Sequence, residues 1–171
     1  MPKKFLITGP DKGKIRTLLD RVIQGAGLPV AGIRGVPFSD PEVPHGPHVG
    51  YRLRDIASGE ETVVASMFFD CPPVVDKYGV DVAAIDRIVG LCRRQPLESR
   101  LVIIDEIGPI ELSSDQFAVW IVEVLEGMSP VVAMIDLPLV EQYRRYGQVF
   151  ELESDADFQP ILDAVLIGVQ P

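Results

Sequence analysis

The chain has few residues of the kinds that mark disulfide-rich or membrane-spanning proteins. Only two of its 171 residues are cysteine, Cys71 and Cys92, and they lie too far apart in sequence to suggest a metal motif or a disulfide framework. No apolar run approaches the ~18 residues that a membrane span requires. The apolar run near the N-terminus is far too short for a signal peptide. We therefore expect a cytoplasmic protein that does not associate with membranes.

Basic residues are also scarce, because 16 Lys and Arg stand against 25 Asp and Glu, giving a net charge of −9. This balance argues against general nucleic-acid binding. Residues 1–21 are the exception, with six basic and two acidic residues and a net charge of +4. A helix N-terminus there would add partial positive charge and favour an anion. The alternative is a solvated first turn that collects lysines by chance.

What is present is an alternation of strand and helix patterns, which favours an α/β fold with a mostly parallel sheet flanked by helices. The length predicts one domain over residues 1–171. Strands are predicted at 4–8, 29–33, 101–104, 130–135 and 149–152. Helices are predicted at about 14–26, at 81–94 with Asp81 as cap, from Ser113 or Ser114 to 126 with Trp120 buried, at 139–146 and at 157–167.

The middle of the chain interrupts this alternation. Residues 35–48 contain four prolines and predict an irregular loop. The β-rich runs 48–56 and 61–67 are joined by a short segment that contains Gly59, which predicts a β-hairpin. We therefore expect an antiparallel hairpin insertion over about 35–70.

The first strand is followed by an imperfect phosphate-binding loop. A P-loop follows the pattern G-x-x-x-x-G-K-[ST], in which backbone N–H groups and the lysine hold phosphates and the hydroxyl holds Mg²⁺. Here Gly9 is followed by Gly13 and Lys14, so the loop is one residue short, and Ile15 stands where the hydroxyl belongs. If the spacing is instead counted ungapped from Gly9, the hydroxyl position falls on Arg16.

The strand at 101–104 ends in Asp105 and Glu106, which is typical of a Walker B element. Asp105 would bind Mg²⁺ and Glu106 would polarise the attacking water as general base. An apolar strand that ends in two acids is a weak signal alone, but it gains weight beside a strand, glycine loop and helix about 90 residues earlier.

Several segments together resemble the THEP1 nucleoside-triphosphatases. Residues 104–117, Ile-Asp-Glu-Ile-Gly-Pro-Ile-Glu-Leu-Ser-Ser-Asp-Gln-Phe, resemble that family's DEIG-x-ME-x-x-S-x-x-F signature. Residues 7–10 resemble its ITGPPGVGKTT start, residues 48–65 its RVGF…tGe…lA hairpin, and residues 77–80 its GKYGV segment. The likeness covers most of residues 4–135 in order.

The resemblance implies a P-loop fold of the RecA-like, additional-strand kind and Mg²⁺-dependent hydrolysis of nucleoside triphosphates to diphosphate and phosphate. It implies that Glu106 and Lys14 are catalytic and that Asp105 and Thr17 hold the metal. Glu111 falls on the second acid of the signature, and Lys77 on a lysine that could act as a charge sensor. The expected nucleotide-binding residues are Gly9, Pro10, Asp11, Lys12, Gly13, Lys14, Ile15, Arg16 and Thr17.

Three regions depart from the family. The Gly-Lys-Thr-Thr run is out of register, and Thr17 alone matches its second threonine. A proline-rich segment at 37–47 replaces a basic and aromatic loop, and Asp155-Ala-Asp-Phe158 replaces an Asn-Arg pair. Two hypotheses follow: a nucleoside-triphosphatase, or a pseudo-NTPase that binds a nucleotide, phosphate or protein without turnover. A small-molecule P-loop kinase is a distant third, because no lid-like arginine cluster supports it.

Two further features are weak signals for chemistry. His45 and His48 lie near acidic residues and could bind a metal, although loop histidines are usually solvated and the ligand set is incomplete. Cys71 has no neighbouring base in sequence to activate it as a nucleophile.

Overall fold

A computed structural model describes residues 3–171 of the chain. Within that range the strands are β1 (Lys4–Thr8), β2 (Val30–Ser39), β3 (His48–Asp55), β4 (Glu61–Ser66), β5 (Val74–Val75), β6 (Tyr78–Val80), β7 (Leu101–Ile107), β8 (Val131–Ile135) and β9 (Gln148–Glu151). The α-helices are α1 (Lys12–Gly25), α2 (Val82–Arg93), α3 (Asp115–Glu126), α4 (Val140–Tyr143) and α5 (Asp155–Val169). Short 3₁₀ turns span Glu111–Ser113, Leu137–Leu139 and Arg144–Tyr146.

The strands form one nine-stranded sheet in the order β5-β6-β4-β3-β2-β7-β8-β1-β9. The five strands from β2 to β9 in this order run parallel, which confirms the predicted mostly parallel α/β sheet. Strand β8 lies between β1 and β7, so one strand separates the two that carry the candidate site. At the usual strand spacing, β1 and β7 lie roughly 10 Å apart.

The antiparallel part of the sheet consists of β3, β4, β6 and β5, which extend it beyond β2. The predicted hairpin of β3 and β4 is confirmed, and the small β5–β6 hairpin was not predicted. The irregular loop predicted from residue 35 is wrong for 35–39, where β2 pairs with β3. Pro37 is tolerated there because β2 pairs with β7 only as far as Ile33, so its other edge needs no N–H donor.

Two apolar layers cover the two faces of the sheet. Side chains of a strand alternate between faces, and β1 shows the result. Leu6 packs in a cluster with α2 and α3, while Phe5 and Ile7 pack in a second cluster with α1 and α5. This double burial explains the apolar runs 5–7 in β1, 101–104 in β7 and 131–135 in β8.

Capping side chains set where the helices begin. The Asp81 side chain accepts a hydrogen bond from the Ala84 N–H at 3.0 Å, and Ser114 Oγ accepts one from the Phe117 N–H at 3.0 Å. Both predicted caps are confirmed, with Ser114 rather than Ser113 at α3, and Trp120 is buried as expected. Helix α5 begins two residues earlier than predicted because Ser154 and Asp157 form a capping box.

Among residues 3–171, no helix combines the length and the apolar character that a membrane crossing demands.

Lys4 joins the amino end of β1 to the carboxyl end of α3. It is 8% exposed, and its Nζ donates hydrogen bonds to the carbonyl oxygens of Val124 at 3.2 Å, Gly127 at 2.9 Å and Ser129. Carbonyls at a helix C-terminus lack intrahelical partners and favour a cation. Lys4 therefore caps α3 from a neighbouring strand.

We expect Lys4→Met to lower the free energy of unfolding by about 2 kcal/mol, because three carbonyl acceptors lose a charged donor. Urea denaturation of both proteins measures this change. The exposed neighbour Lys3 provides the matched control, and Lys3→Met should leave stability within about 0.5 kcal/mol. Equal midpoints for the two variants would contradict the capping role.

Candidate functional site

The connection from β1 to α1 is three residues long: Gly9, Pro10 and Asp11. Asp11 caps the helix, because its Oδ1 accepts a hydrogen bond from the Lys14 N–H at 3.1 Å. Helix α1 therefore begins at Lys12, two residues before the predicted start. Lys12, Gly13 and every later residue of the predicted phosphate loop lie in the helix, so the chain does not form the wide loop of the P-loop pattern.

Gly9 has a packing reason to be glycine. A Cβ at this position would overlap the carbonyl oxygen of Leu152, the residue that follows β9. The Leu152 N–H donates to the Thr8 carbonyl at 2.8 Å, which holds this close approach in place.

Lys12 and Arg16 lie one helical turn apart on α1, and both reach the acids of β7. Lys12 Nζ lies 2.6 Å from Glu106 Oε1 and 3.0 Å from Asp136 Oδ1. Arg16 Nε lies 3.2 Å from Asp105 Oδ1, and its Nη2 lies 3.4 Å from Glu106 Oε2. Two cations from the helix thus neutralise the two candidate Walker B carboxylates.

Arg34 on β2 supplies a third cation. Its Nε lies 3.2 Å from Asp105 Oδ2, and its Nη1 lies 2.7 Å from Asp20 Oδ1 on α1. The Asp105 side chain is fully buried, so its charge is balanced entirely from within the protein. Strand β7 was predicted to end at Ile104, but it continues to Ile107. Its register against β8 shifts between Ile104 and Ile107, where the two acids lie.

Other predicted residues lie apart from these acids. Lys14 Nζ pairs with Asp155 Oδ1 at 2.5 Å, where both side chains are exposed. The Thr17 hydroxyl donates to the Gly13 carbonyl at 3.0 Å on an exposed part of α1. Ile15 is buried in the apolar core, and Pro10 is exposed. Lys77 is exposed and lies over the Tyr78 ring, with Nζ 5.5 Å from the ring centre.

Glu106 and Glu111 are buried carboxyl groups that converge near Gly108. A Cβ on Gly108 would lie 2.6 Å from Glu106 Oε1 and 3.1 Å from Glu111 Oε2. Burial and a hydrogen bond with Asp136 raise the pKa of Glu106 and Lys12 lowers it, so that the pKa lies at about 7. Burial and the charge of Glu106 hold the pKa of Glu111 well above its ordinary value.

A cavity of about 140 Å³ opens beside these carboxyl groups. At about 30 Å³ per water molecule, this volume corresponds to roughly four to five waters. The polar and aromatic residues that line it include Lys12, Tyr51, Tyr78, Glu106, Glu111 and Asp136. The rings of Tyr51 and Tyr78 meet edge to face at 5.3 Å and form the aromatic part of this lining.

The predicted Mg²⁺ ligands do not fit a divalent ion in this arrangement. Both oxygens of Asp105 accept N–H groups from arginine, and the Thr17 hydroxyl is bonded to its own helix. Over residues 3–171, no group of three or more His, Cys, Asp and Glu side chains is placed to hold a metal ion, and this includes His45 and His48.

Sequence reasoning missed Arg34 and Asp136. Asp136 directly follows β8, and Arg34 directly follows the part of β2 that pairs with β7. Ligand sites of open α/β sheets lie at the carboxyl ends of parallel strands. Arg34 and Asp136 could therefore have been predicted as site residues, because each is a charged residue at the carboxyl end of a parallel strand segment.

Comparison with known proteins gives the family. A family model described as NTPase matches residues 4–157. A THEP1 nucleoside-triphosphatase from Thermococcus kodakarensis is 32% identical, with 97% of this chain and 96% of the relative covered. One from Methanothermobacter thermautotrophicus is 36% identical, with 83% and 81% covered.

Solved structures agree with this result. The crystal structure of THEP1 from Aquifex aeolicus has a TM-score of 0.77 at 26% identity, with 98% of this chain and 99% of that chain covered. The solution structure of a human cancer-related nucleoside triphosphatase has a TM-score of 0.74 at 22% identity, with 98% and 97% covered, and supports the fold alone. Together with the strand order, these likenesses define a P-loop NTPase fold. The chain belongs to the THEP1-type NTPase family.

The carboxyl group of Glu106 should titrate near pH 7 in the free protein, because burial disfavours its anion. Lys12→Met should move this midpoint to higher pH by removing a favourable positive charge. Lys14→Met is the control, because Lys14 pairs with Asp155 and should leave the midpoint unchanged. NMR of carboxyl-labelled protein measures all three midpoints. A wild-type midpoint near the ordinary value of about 4.3 would contradict the effect of burial.

The Thr8 hydroxyl at the end of β1 is buried without a hydrogen-bond partner among the described residues. Thr8→Val keeps the shape of the side chain and removes the unsatisfied group, so we expect the free protein to gain about 1 kcal/mol of stability. Thr17→Val, at an exposed hydroxyl on α1, should change stability far less. Thermal unfolding of the three proteins measures the difference, and a clear loss in Thr8→Val would show that the hydroxyl is satisfied in solution.

Proposed function

We propose that this protein binds nucleoside triphosphates at the carboxyl edge of β1 and β7 and hydrolyses the terminal phosphate. The observation that carries the proposal is the convergence of Glu106, whose pKa lies near 7, with Lys12 and Arg16 beside the small cavity. A candidate base, two cations and room for water close together support hydrolysis at this point. Membership of a family whose relatives are named nucleoside-triphosphatases supports the same reaction.

Phosphate binding would use the first turn of α1. The N-terminus of a 14-residue helix carries partial positive charge and free N–H groups, and Lys12 and Arg16 add two full charges. We assign the cation at the reacting phosphate to Lys12 rather than the predicted Lys14. Lys12 lies 2.6 Å from Glu106, whereas Lys14 is held by Asp155.

Hydrolysis would use Glu106 as general base. A water in the cavity attacks the terminal phosphorus, its proton passes to the Glu106 carboxylate, and the bond to the nucleoside diphosphate breaks with its electron pair on the leaving oxygen. A base with a pKa near the working pH is efficient at such a transfer. Glu111, whose pKa is raised by burial and by the charge of Glu106, lies beside this base.

A second candidate function, binding without turnover, is favoured by one observation. The β1–α1 connection is only three residues long, and Asp11 puts a carboxylate where backbone N–H groups would otherwise meet a phosphate. A cradle of this size offers fewer donors than a full phosphate loop. The names of the relatives favour hydrolysis over this alternative.

Phosphate release from ATP and GTP, with and without Mg²⁺, tests the proposal. Glu106→Gln should lower kcat by about 10²- to 10⁴-fold, the usual contribution of a general base. Glu126→Gln, an exposed substitution on α3, is the matched control and should not change kcat. Full turnover in Glu106→Gln would remove Glu106 as the base.

Nucleotide-dependent thermal stabilisation separates the two candidates. No release of phosphate, together with a higher Tm in ATP or GTP, would support the binding module. Neither release nor stabilisation by any nucleotide would overturn both.

A further inference from the structure

We infer that Arg16 and Arg34 are built-in counter-ions that replace a divalent metal at Asp105, so that this carboxylate is not a metal ligand in this protein. The Asp105 side chain has no exposed surface. Each of its oxygens accepts one guanidinium N–H at 3.2 Å, Oδ1 from Arg16 and Oδ2 from Arg34. A Mg²⁺ ion needs oxygen ligands at about 2.0–2.1 Å in an octahedron and keeps several waters, which two guanidinium groups at this distance would block and repel.

Both arginines are held by second contacts, so neither is a loosely placed side chain. Arg34 Nη1 bonds Asp20 at 2.7 Å, which ties β2 to α1 across the acid. Arg16 Nη2 reaches Glu106 at 3.4 Å. Gly35 lies against the same group, since a Cβ there would lie 3.3 Å from the Asp105 carbonyl oxygen and in ordinary contact with Arg16 Nη2 at 3.7 Å.

The sequence pattern agrees with the substitution. Counted ungapped from Gly9, the position that the P-loop pattern gives to the metal-binding hydroxyl is Arg16. Its guanidinium contacts Asp105, the carboxylate that the Walker B element gives to the metal. A positive side chain thus stands where the pattern places an oxygen ligand. The remaining hydroxyl, on Thr17, is bonded to Gly13 of its own helix.

The positive charge that balances Asp105 therefore comes from the protein itself. In the free state Asp105 is paired with guanidinium groups on two different elements, and it needs no further cation. The inference concerns the nucleotide-free protein and is independent of turnover. Only its extension to the bound state rests on the proposed function.

Mn²⁺ as a paramagnetic probe tests the inference on the full chain without nucleotide. We expect the wild-type amide resonances of residues 104–107 to keep their line widths on addition of Mn²⁺. Selective broadening of these resonances would overturn the inference. Broadening confined to other acidic residues would support it, because Asp105 would still take no metal. This arm needs no variant, so a folding defect cannot obscure it.

A double variant tests the role of the arginines directly. Arg16→Gln combined with Arg34→Gln removes both charges while keeping side chains of similar polarity, and should create a Mn²⁺ site seen as broadening at residues 104–107. Adding Asp105→Asn should abolish that site. Circular dichroism checks that each variant is folded. If the double variant does not fold, Arg16→Gln alone should give weaker but detectable broadening at residues 104–107. A folded double variant that gains no Mn²⁺ binding would overturn the role of the arginines.

The wild-type measurement repeated with ATP present extends the test to the bound state. Unchanged resonances at residues 104–107, with ATP bound, would support a carboxylate that stays paired with arginine. Broadening that appears only with ATP and that Asp105→Asn abolishes would overturn the inference for the complex, whereas broadening that Asp105→Asn leaves unchanged comes from Mn²⁺ held on the phosphates. If ATP does not bind at all, the proposed function fails, whereas the nucleotide-free result for Asp105 stands on its own.

Discussion

Asp105 is a charged group with no exposed surface, and the arrangement of the site depends on how that charge is balanced. A buried carboxylate is costly unless it is paired and hydrogen-bonded. Arg16 and Arg34 meet that requirement from α1 and β2, and Arg34 also binds Asp20 on α1. One buried charge on β7 therefore fixes the positions of two other elements around it.

The same pairing explains the short connection between β1 and α1. Lys12 and Arg16 can reach Glu106 and Asp105 together only if both lie on the helix, one turn apart on the same face. Asp11 starts the helix early enough for this by accepting the Lys14 N–H. A loop that wrapped a phosphate would need these residues in a different conformation. In the free protein, Lys12 and Arg16 at the start of α1 thus form ion pairs with the acids of β7.

The site also holds two kinds of carboxyl group, separated by their surroundings. Asp105 is paired with arginine on both oxygens, whereas burial and the charge of Glu106 raise the pKa of Glu111 well above its ordinary value. Glu106 lies between these limits, with burial raising its pKa and Lys12 lowering it. Carboxyl groups in such different environments can have different roles: a paired one such as Asp105 holds elements together, and one such as Glu106 can transfer a proton.

Much of the scaffold could be predicted from the sequence, because local physics decides it. Buried parallel strands are continuous apolar runs, amphipathic helices repeat at 3.6 residues, and Asp81 and Ser114 cap helices within three residues of themselves. The family was also predictable, because several motifs agree in order along the chain. Local caps moved the starts of α1 and α5 by two residues, whereas the predicted loop fails at residues 35–39 because β3 lies beside them and pairs with them.

The sequence by itself determined the α/β scaffold, the family and the presence of two acids near a basic segment. Only the tertiary structure decided which cation meets which acid. Each residue along a helix turns the side chain by about 100°, so starting α1 at Lys12 directs Lys12 and Arg16 to β7 and leaves Lys14 with Asp155. Arg34 lies 71 residues from Asp105, and only the pairing of β2 with β7 brings them together. Contacts of that range depend on strand order, which no local pattern encodes.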